Sequence, residues 1–379
     1  MKQLKWIWQQ VDWPTFTWQA DEILPLLSRA RLQQGKLLAK VLNMGFDYRR
    51  EASADVLIEE AVKTAEIEGE LLNRESVRSS VAKHLGLSTF GLPQPTRSID
   101  GLVSVLIDAT RHYDKPMTAD RLHSWQAALF PTGFSGLLRI EVGGWRTSED
   151  PMQVISGAMG REIVHYEAVP GPSVEREMEH FLTWWATSLE KEESLLRAGL
   201  AHFYFVTIHP FDDGNGRIAR ALTDMALAQD EKLTTRYYSL SSQIMKERDQ
   251  YYKVLEQCQR GNCNVTAWLV WFLGCYTRAV DGATTLISHV LAKADFWQHF
   301  AQVSINERQR KAINLLLDSG KGNFLGGLTT RKYVSINKVS RATAFREIAD
   351  LLEKKMIIQN PSSGRSVSYD LNWPSYHEH

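Results

Sequence analysis

His209-Pro-Phe-Asp-Asp-Gly-Asn-Gly-Arg-Ile-Ala-Arg220 puts a base, a carboxylate, an anion cradle and two arginines into twelve consecutive residues. Gly214-Asn215-Gly216 can turn successive backbone N–H groups into one concavity. Arg217 opens the apolar run Ile218-Ala219-Arg220-Ala221-Leu222, which has the character of a helix N-terminus. Both features favour anionic oxygen atoms. Arg217 and Arg220 share a helix face and can each offer a planar fork to phosphate oxygens. Asp213 is a hard oxygen ligand suited to Mg²⁺. His209 carries the side chain whose ordinary pKa lies nearest neutrality, so it can take a proton from an incoming hydroxyl. Phe211 serves neither job and is expected to anchor the loop in the core. The segment reads as a triphosphate site, against the blander reading of a Gly-rich loop that only caps a helix.

The stretch matches the signature His-Pro-Phe-x-Asp-Gly-Asn-Gly-Arg-x-x-Arg and so resembles the Fic family of AMP-transferring enzymes. The resemblance implies a mainly α fold, a helical bundle with a β-hairpin flap, and transfer of AMP from ATP to a Tyr, Thr or Ser hydroxyl of a protein. It implies that His209 is the general base and Asp213 the Mg²⁺ ligand. Asn215 and Arg217 resemble the contacts to the α- and β-phosphates, and Arg220 the group that holds the γ-phosphate. In a kinase-like branch of the family an Ala and a Lys typically replace the two glycines, so Gly214 and Gly216 argue for nucleotidyl transfer.

Thr64-Ala-Glu-Ile-Glu68-Gly69 lies in a stretch, 54–70, where Val56, Ile58, Ala61, Val62, Ala65 and Ile67 recur at an approximately helical spacing. Thr64 and Glu68 are four apart and share a face, and Gly69 suits a helix end. The segment resembles the Fic inhibitory motif, Ser/Thr-x-x-x-Glu-Gly/Asn. That likeness implies that Glu68 pairs with Arg220 and blocks the γ-phosphate. The alternative is that Glu66, Glu68 and Glu70 form a solvated acidic face.

Composition narrows the class. The formal net charge of zero over 379 residues gives no global pull toward nucleic acid or a membrane. Cys258, Cys263 and Cys275 form no disulfide framework and no Cys-x-x-Cys zinc pair, which points to a reducing, cytoplasmic compartment. The start of the chain lacks a basic segment followed by an apolar signal core, and the apolar stretch 265–276 is too short to span a bilayer. No membrane association is expected.

Four regions separate along the chain. Residues 1–50 hold Trp6, Trp8, Trp13 and Trp18 and an amphipathic stretch from Asp21 to Leu42, read as a lid packed on the catalytic core. Residues 51–280 are the expected catalytic domain, with helices at 98–113, 118–129, 173–190, 194–208, 218–229 and 245–259. Its one β segment is Met152-Gln-Val-Ile155 and Glu162-Ile-Val-His-Tyr166, joined by a Gly-containing loop from Gly157 to Gly160. In Fic enzymes such a flap pairs with an extended target segment, so a target protein is expected along Met152–Tyr166. Tyr251, Tyr252 and Gln259 stand where Fic relatives place adenosine contacts, and Tyr251 is assigned to ATP; core packing is the alternative for these tyrosines. Residues 281–302 read as a linker helix.

Residues 303–373 read as a winged helix-turn-helix. The expected helices are 306–317, 329–334 and 340–354, with a turn at 335–339 and a wing at 364–371. Lys332, Lys338, Arg341, Arg346 and Arg365 are candidate phosphate contacts. Because the region is not strongly basic, protein contact is preferred to DNA. The combined reading is an autoinhibited protein adenylyltransferase that uses ATP and Mg²⁺ and modifies protein hydroxyls, its own included. The alternatives are removal of AMP by the same site and a DNA-binding regulator with an ATP-sensing Fic domain. Homo-oligomerisation is left open.

Overall fold

Residues 194–208 are apolar on every side, and the helix they form is buried all round, as a central helix must be. It sits among helices that the computed structural model describes, together with short strands, over residues 5–156, 163–319, 324–361 and 367–373. In chain order the helices begin with α1 (Ala20–Leu42), α2 (Phe46–Ile67), α3 (Arg74–Leu85), α4 (Arg97–Arg111) and α5 (Ala119–Leu129). They continue with α6 (Val174–Ser188), α7 (Ser194–Ile208), α8 (Asn215–Glu231), α9 (Leu240–Lys246), α10 (Arg248–Gln259) and α11 (Thr266–His299), then α12 (Glu307–Ser319), α13 (Thr330–Asn337) and α14 (Arg341–Glu353). The strands form three antiparallel pairs: β1 (Phe134–Ser135) with β2 (Leu138–Arg139), β3 (Gln153–Ser156) with β4 (Ile163–Glu167), and β5 (Ile357–Gln359) with β6 (Tyr369–Leu371).

The chain divides into two compact units, 1–283 and 284–379. In the first, α7 packs closely on α8, so the loop between them, 209–214, is held at both ends by buried helices. Burying each large apolar side chain of that pair is worth about 1.5–3 kcal/mol. The tryptophans of the N-terminal stretch are structural. Trp6 meets Tyr166 edge-on at 5.4 Å, and the Trp8 indole donates to the Glu167 carbonyl at 2.9 Å, so both back strand β4. Trp13 donates to Glu177 at 2.9 Å and packs edge-on against Tyr204.

Several expected boundaries move. A division at 50/51 would cut α2, which runs back to Phe46 because no breaker interrupts 46–51. The expected linker helix at 281 is not separate, since the apolar pattern carries α11 unbroken from Thr266. The expected helix at 245–259 is two, α9 and α10, with Glu247 out of helical geometry at φ −114, ψ 24 between them. The flap pair has a register shift between Val154 and Ile155, and its connecting residues Gly157 to Gly160 lie outside the described residues. It is joined by a second pair, β1–β2, that the sequence reading lacked.

In the second unit α12, α13 and α14 enclose Ile313, Leu316, Tyr333 and Ile348, and β6 covers that core with Leu371. Helix α13 continues to Asn337, with the turn at Lys338 (φ 51) rather than from Ser335. Ser340 caps α14, its hydroxyl accepting from the Thr343 N–H at 3.1 Å. Strand β6 pairs with β5 rather than within a hairpin at 364–371, because Ile357-Ile-Gln supplies the apolar run. Gly364 and Arg365 lie outside the described residues.

Candidate active site

The 209–214 loop starts at the end of α7 and finishes at the start of α8. His209 closes α7 in the left-handed region, φ 55 and ψ 60, which few non-glycine residues adopt. Such a conformation persists only when the surroundings enforce it. Buried Arg146 does so: its Nε donates to the His209 carbonyl at 2.7 Å, its Nη2 to the carbonyls of Ile208 and Val169, and its own N–H to the Pro210 carbonyl at 3.0 Å. Nothing in the sequence had singled out Arg146. Its signal is only a buried arginine among chain-reversing carbonyls.

His209 Nδ1 lies 3.3 Å from the Val206 carbonyl, which leaves Nε2 as the nitrogen free to accept a proton. Burial and the Arg146 cation together depress its pKa to about 4. The imidazole is therefore neutral at pH 7, the form a base requires.

The rest of the loop is fixed from within. Asn215 clamps it: the Phe211 N–H donates to Asn215 Oδ1 at 2.9 Å, and Asn215 Nδ2 donates to the Phe211 carbonyl at 2.7 Å. Its side chain is committed to the loop, so what it can offer a phosphate is the N–H at the start of α8, where the first backbone donors have no intrahelical acceptor. Gly214 takes φ 90, and a Cβ there would lie 2.9 Å from the Phe130 ring. Phe211 is fully buried, as expected of the anchor.

Asp213 accepts from the Ser135 hydroxyl on β1 and from the Gly214 N–H, and its side chain is half-exposed. It faces a cavity of about 760 Å³ that Arg217, Glu68, Glu70 and Ser135 also line. Among the described residues no group of three or more metal-ligating side chains occurs. Mg²⁺ needs none, since it commonly takes one or two carboxylates and completes its shell with phosphate and water. A single accessible carboxylate beside an anion cradle fits that demand.

Two acidic residues meet the two motif arginines. Helix α2 ends in a Schellman motif, with Gly69 at φ 84, the Glu70 N–H on the Ala65 carbonyl and the Gly69 N–H on the Glu66 carbonyl, each at 3.0 Å. This turn sends Glu68 and Glu70 toward α8. Arg220, 2% exposed, donates Nη2 to Glu68 Oε1 at 2.7 Å, Nε to the Thr64 hydroxyl at 2.6 Å and Nη2 to the Thr64 carbonyl at 2.9 Å. Arg217 lies over the Phe130 ring and reaches Glu70 at 3.3 Å. Glu66 pairs instead with Lys63 at 2.7 Å. The three glutamates therefore do not form one solvated face. Gly216 is what admits Glu68, because a Cβ there would overlap Glu68 Oε1.

On the other side of Glu68 lies a second cavity, of about 590 Å³, lined by His209, Gly216, Tyr251, Tyr252, Gln259 and the flap residues Val154 to Ser156. Its size suits a small organic ligand. The Tyr251 hydroxyl is already paired with His202 Nε2 at 2.9 Å, so Tyr251 offers the cavity its ring alone. Gln259 reaches the Thr207 hydroxyl at 3.4 Å. Glu68 lines both cavities and stands between them.

Comparison with known proteins bears on this geometry. Residues 6–87 match a domain of unknown function, DUF4172, and residues 116–227 match the Fic/DOC family. The chain is similar to a protein adenylyltransferase Fic of Nematostella vectensis, 31% identical over 119 residues, or 30% of this chain and 25% of that one. A protein adenylyltransferase Fic of Aedes aegypti is 30% identical over 129 residues, 32% of this chain and 23% of that one. The matched stretch thus spans about a quarter of the length of these curated relatives. In fold the chain resembles a Fic family protein from Desulfovibrio desulfuricans G20, with TM-score 0.55 and 20% identity over 96% of this chain and 99% of that one. It also resembles a Fic domain containing signalling protein from Bacteroides thetaiotaomicron VPI-5482, with TM-score 0.51 and 16% identity over 70% and 98%. No helix among the described residues is long and apolar enough to cross a membrane. A loop built for anionic oxygens, the match over 116–227 and the fold of these neighbours agree: the chain carries a Fic/DOC family domain in a mainly helical Fic fold.

Proposed function

We propose that the protein is an adenylyltransferase that moves AMP from ATP to hydroxyl groups of proteins and is held back by its own Glu68. The observation that carries this reading is the placement of a neutral His209, with Nε2 open, in the cavity that ends at Gly216 and Glu68. The two curated relatives bear the name protein adenylyltransferase.

In this reading the adenosine occupies the cavity under the flap, beside Tyr251 and Tyr252, and the phosphates run over the first N–H groups of α8. Arg217 takes charge at the α- and β-phosphates and Arg220 takes the γ-phosphate, each as a bidentate donor. Asp213 would hold Mg²⁺, which neutralises phosphate charge when bound. His209 accepts the proton of the target hydroxyl as the oxygen attacks the α-phosphorus, and pyrophosphate leaves. The target strand pairs along β3–β4. At rest Glu68 and Thr64 occupy Nε and Nη2 of Arg220, so in this reading the γ-phosphate is displaced and the α-phosphate is misaligned for attack.

A second reading has Glu68, which lines the same cavity as His209, orienting water to remove AMP from a modified protein. Labelled ATP incubated with the protein and a cell lysate separates the two. Label on proteins that disappears with His209→Ala, by roughly a hundredfold or more, supports transfer. A His209→Ala protein that keeps most of its transfer rate refutes the base assignment, and loss of AMP from a premodified protein favours the second reading.

A further inference from the structure

The 209–214 loop is held on one side by a segment outside the motif. Residues 130–143 leave α5, turn through the β1–β2 hairpin and return beside the loop. The base of the hairpin is braced by its own backbone: the Gly133 N–H donates to the Phe130 carbonyl at 3.0 Å, and the Ile140 N–H to the Gly133 carbonyl at 3.1 Å. Buried Gln126 fixes the return, its Oε1 accepting from the Gly143 N–H at 2.8 Å and its Nε2 donating to the Glu141 carbonyl at 3.1 Å. From this base the segment meets the loop twice. The Glu141 N–H donates to Asp212 at 2.9 Å, and the Ser135 hydroxyl donates to Asp213 Oδ2. The other oxygen, Asp213 Oδ1, accepts from the Gly214 N–H and lies 3.8 Å from Arg217 Nη2, near enough for attraction but beyond a hydrogen bond. The Asp213 side chain is 42% exposed, so burial does not set the torsion of its carboxylate, which is intrinsically broad. A carboxylate turned onto Arg217 would withdraw both groups from the cavity of about 760 Å³ that Ser135, Asp213 and Arg217 line together.

We propose that Ser135 is a positioning residue for the cation that accompanies ATP: its hydroxyl holds the Asp213 carboxylate off Arg217 and open to Mg²⁺. The proposal rests on the reading above in which Asp213 is the Mg²⁺ ligand. A neutral donor suits the task, because it takes one lone pair of Oδ2, leaves the others free and does not cancel the carboxylate's charge. A lysine or arginine in its place would supply a competing cation. Ser135 acts through Asp213 and has no chemical step of its own. It stands 78 residues before Asp213, on a strand of two residues, so no spacing in the sequence marks it. The hairpin thereby becomes part of the phosphate end of the site, as a wall that sets the aim of the loop's metal ligand.

The test is calorimetric binding of ATP to the full chain carrying Glu68→Gly and His209→Ala, which keeps the nucleotide unreacted, once with Mg²⁺ and once with EDTA. The ratio of the two affinities is the gain that the cation confers. In that background Ser135→Thr and Ser135→Val are compared, because threonine and valine share a shape and differ in the hydroxyl. Ser135→Thr is expected to keep the gain and Ser135→Val to lose roughly tenfold or more of it, with matching melting curves. A serine that merely supports the hairpin would give the two variants the same gain. Equal gains, or a Ser135→Val protein with the gain of its parent, overturn the inference. Asp213→Ala tests the reading beneath it. A gain lost in Asp213→Ala but kept in Ser135→Val leaves Asp213 as the ligand and removes the role of Ser135 alone. A gain that survives Asp213→Ala refutes the metal assignment, and the inference with it.

Discussion

Glu68→Gly is the perturbation that bears most directly on the proposed inhibition by Glu68. Removing the carboxylate takes one donor contact, 2.7 Å long, from Arg220 but leaves the Thr64 hydroxyl and carbonyl at 2.6 and 2.9 Å. Nε and Nη2 of the guanidinium therefore keep acceptors, and the Glu68 side chain is already one-third exposed, 34%. The stability cost follows from those facts: about 1 kcal/mol for a partly solvated charge pair, or about 2–4 °C in melting temperature for a unit of this size. The catalytic effect is larger and of opposite sign. Misplacement of a reacting group by about an ångström can cost a hundredfold, so freeing Arg220 for the γ-phosphate is expected to raise transfer roughly ten- to a hundredfold. The assay is label from ATP on acceptor proteins, wild type against variant, with a melting curve on each. The double variant Glu68→Gly with Arg220→Ala should fall back toward inactivity, because an absent arginine cannot be freed. If Glu68→Gly instead lowers transfer, or abolishes removal of AMP from a modified target, the inhibitory account fails and Glu68 belongs to the hydrolytic reaction.

Other expectations follow from the same contacts. Glu70→Ala frees Arg217 from its 3.3 Å contact and should raise apparent ATP affinity a few-fold with little change in melting, since Glu70 is about half exposed; titration calorimetry with ATP checks it. Arg146→Met leaves the carbonyls of Val169, Ile208 and His209 without their donor, at roughly 2–4 kcal/mol. It also removes the cation that helps depress His209, so the folded pKa should rise from about 4 toward its ordinary value. Transfer needs the neutral imidazole, and its acidic limb should therefore move to higher pH; a pH–rate profile with an unmoved limb refutes the link. Helix α14 exposes Phe345 between Arg341 and Arg346, a mixed face that suits a protein partner better than a phosphate backbone. Duplex retention in gel shift is accordingly expected to be weak at low salt. Tight retention that falls steeply with salt and with Arg341→Ala or Arg346→Ala would reverse that preference.

What the sequence disclosed depended on how local each feature was. The 209–220 stretch was legible because its chemistry is contiguous, and its start as a helix was off by only one turn: α8 begins at Asn215, with the loop glycine as its cap. Thr64 and Glu68 were legible as a pair because helical spacing alone puts them on one face, and the structure brings both to Arg220. Asn215 illustrates the limit. A motif gives the residue type but not where its amide is already spent, and here both ends are used on the Phe211 peptide. Arg146 and Glu70 were beyond reach for a different reason: each acts across a long sequence separation, 63 residues for Arg146 to His209 and 147 for Glu70 to Arg217, with no periodicity to announce it.

The flap shows the same distance at work. From sequence it was two short β-prone runs, and Ser156 and His165 were merely residues within them. Only the antiparallel pairing, shifted between Val154 and Ile155, sets the Ser156 hydroxyl against the His165 ring, and only α10 supplies Glu256 to the other ring nitrogen, 91 residues on. The tryptophans at the N-terminus then acquire a role that a packing stripe alone would not suggest. Trp6 and Trp8 fix β4 from behind, so the extension sets where the flap stands relative to the cavity. In this chain helix α2 and the N-terminal extension approach the same cavity from different elements: α2 through Glu68 at one end, and the tryptophans through the flap at the other.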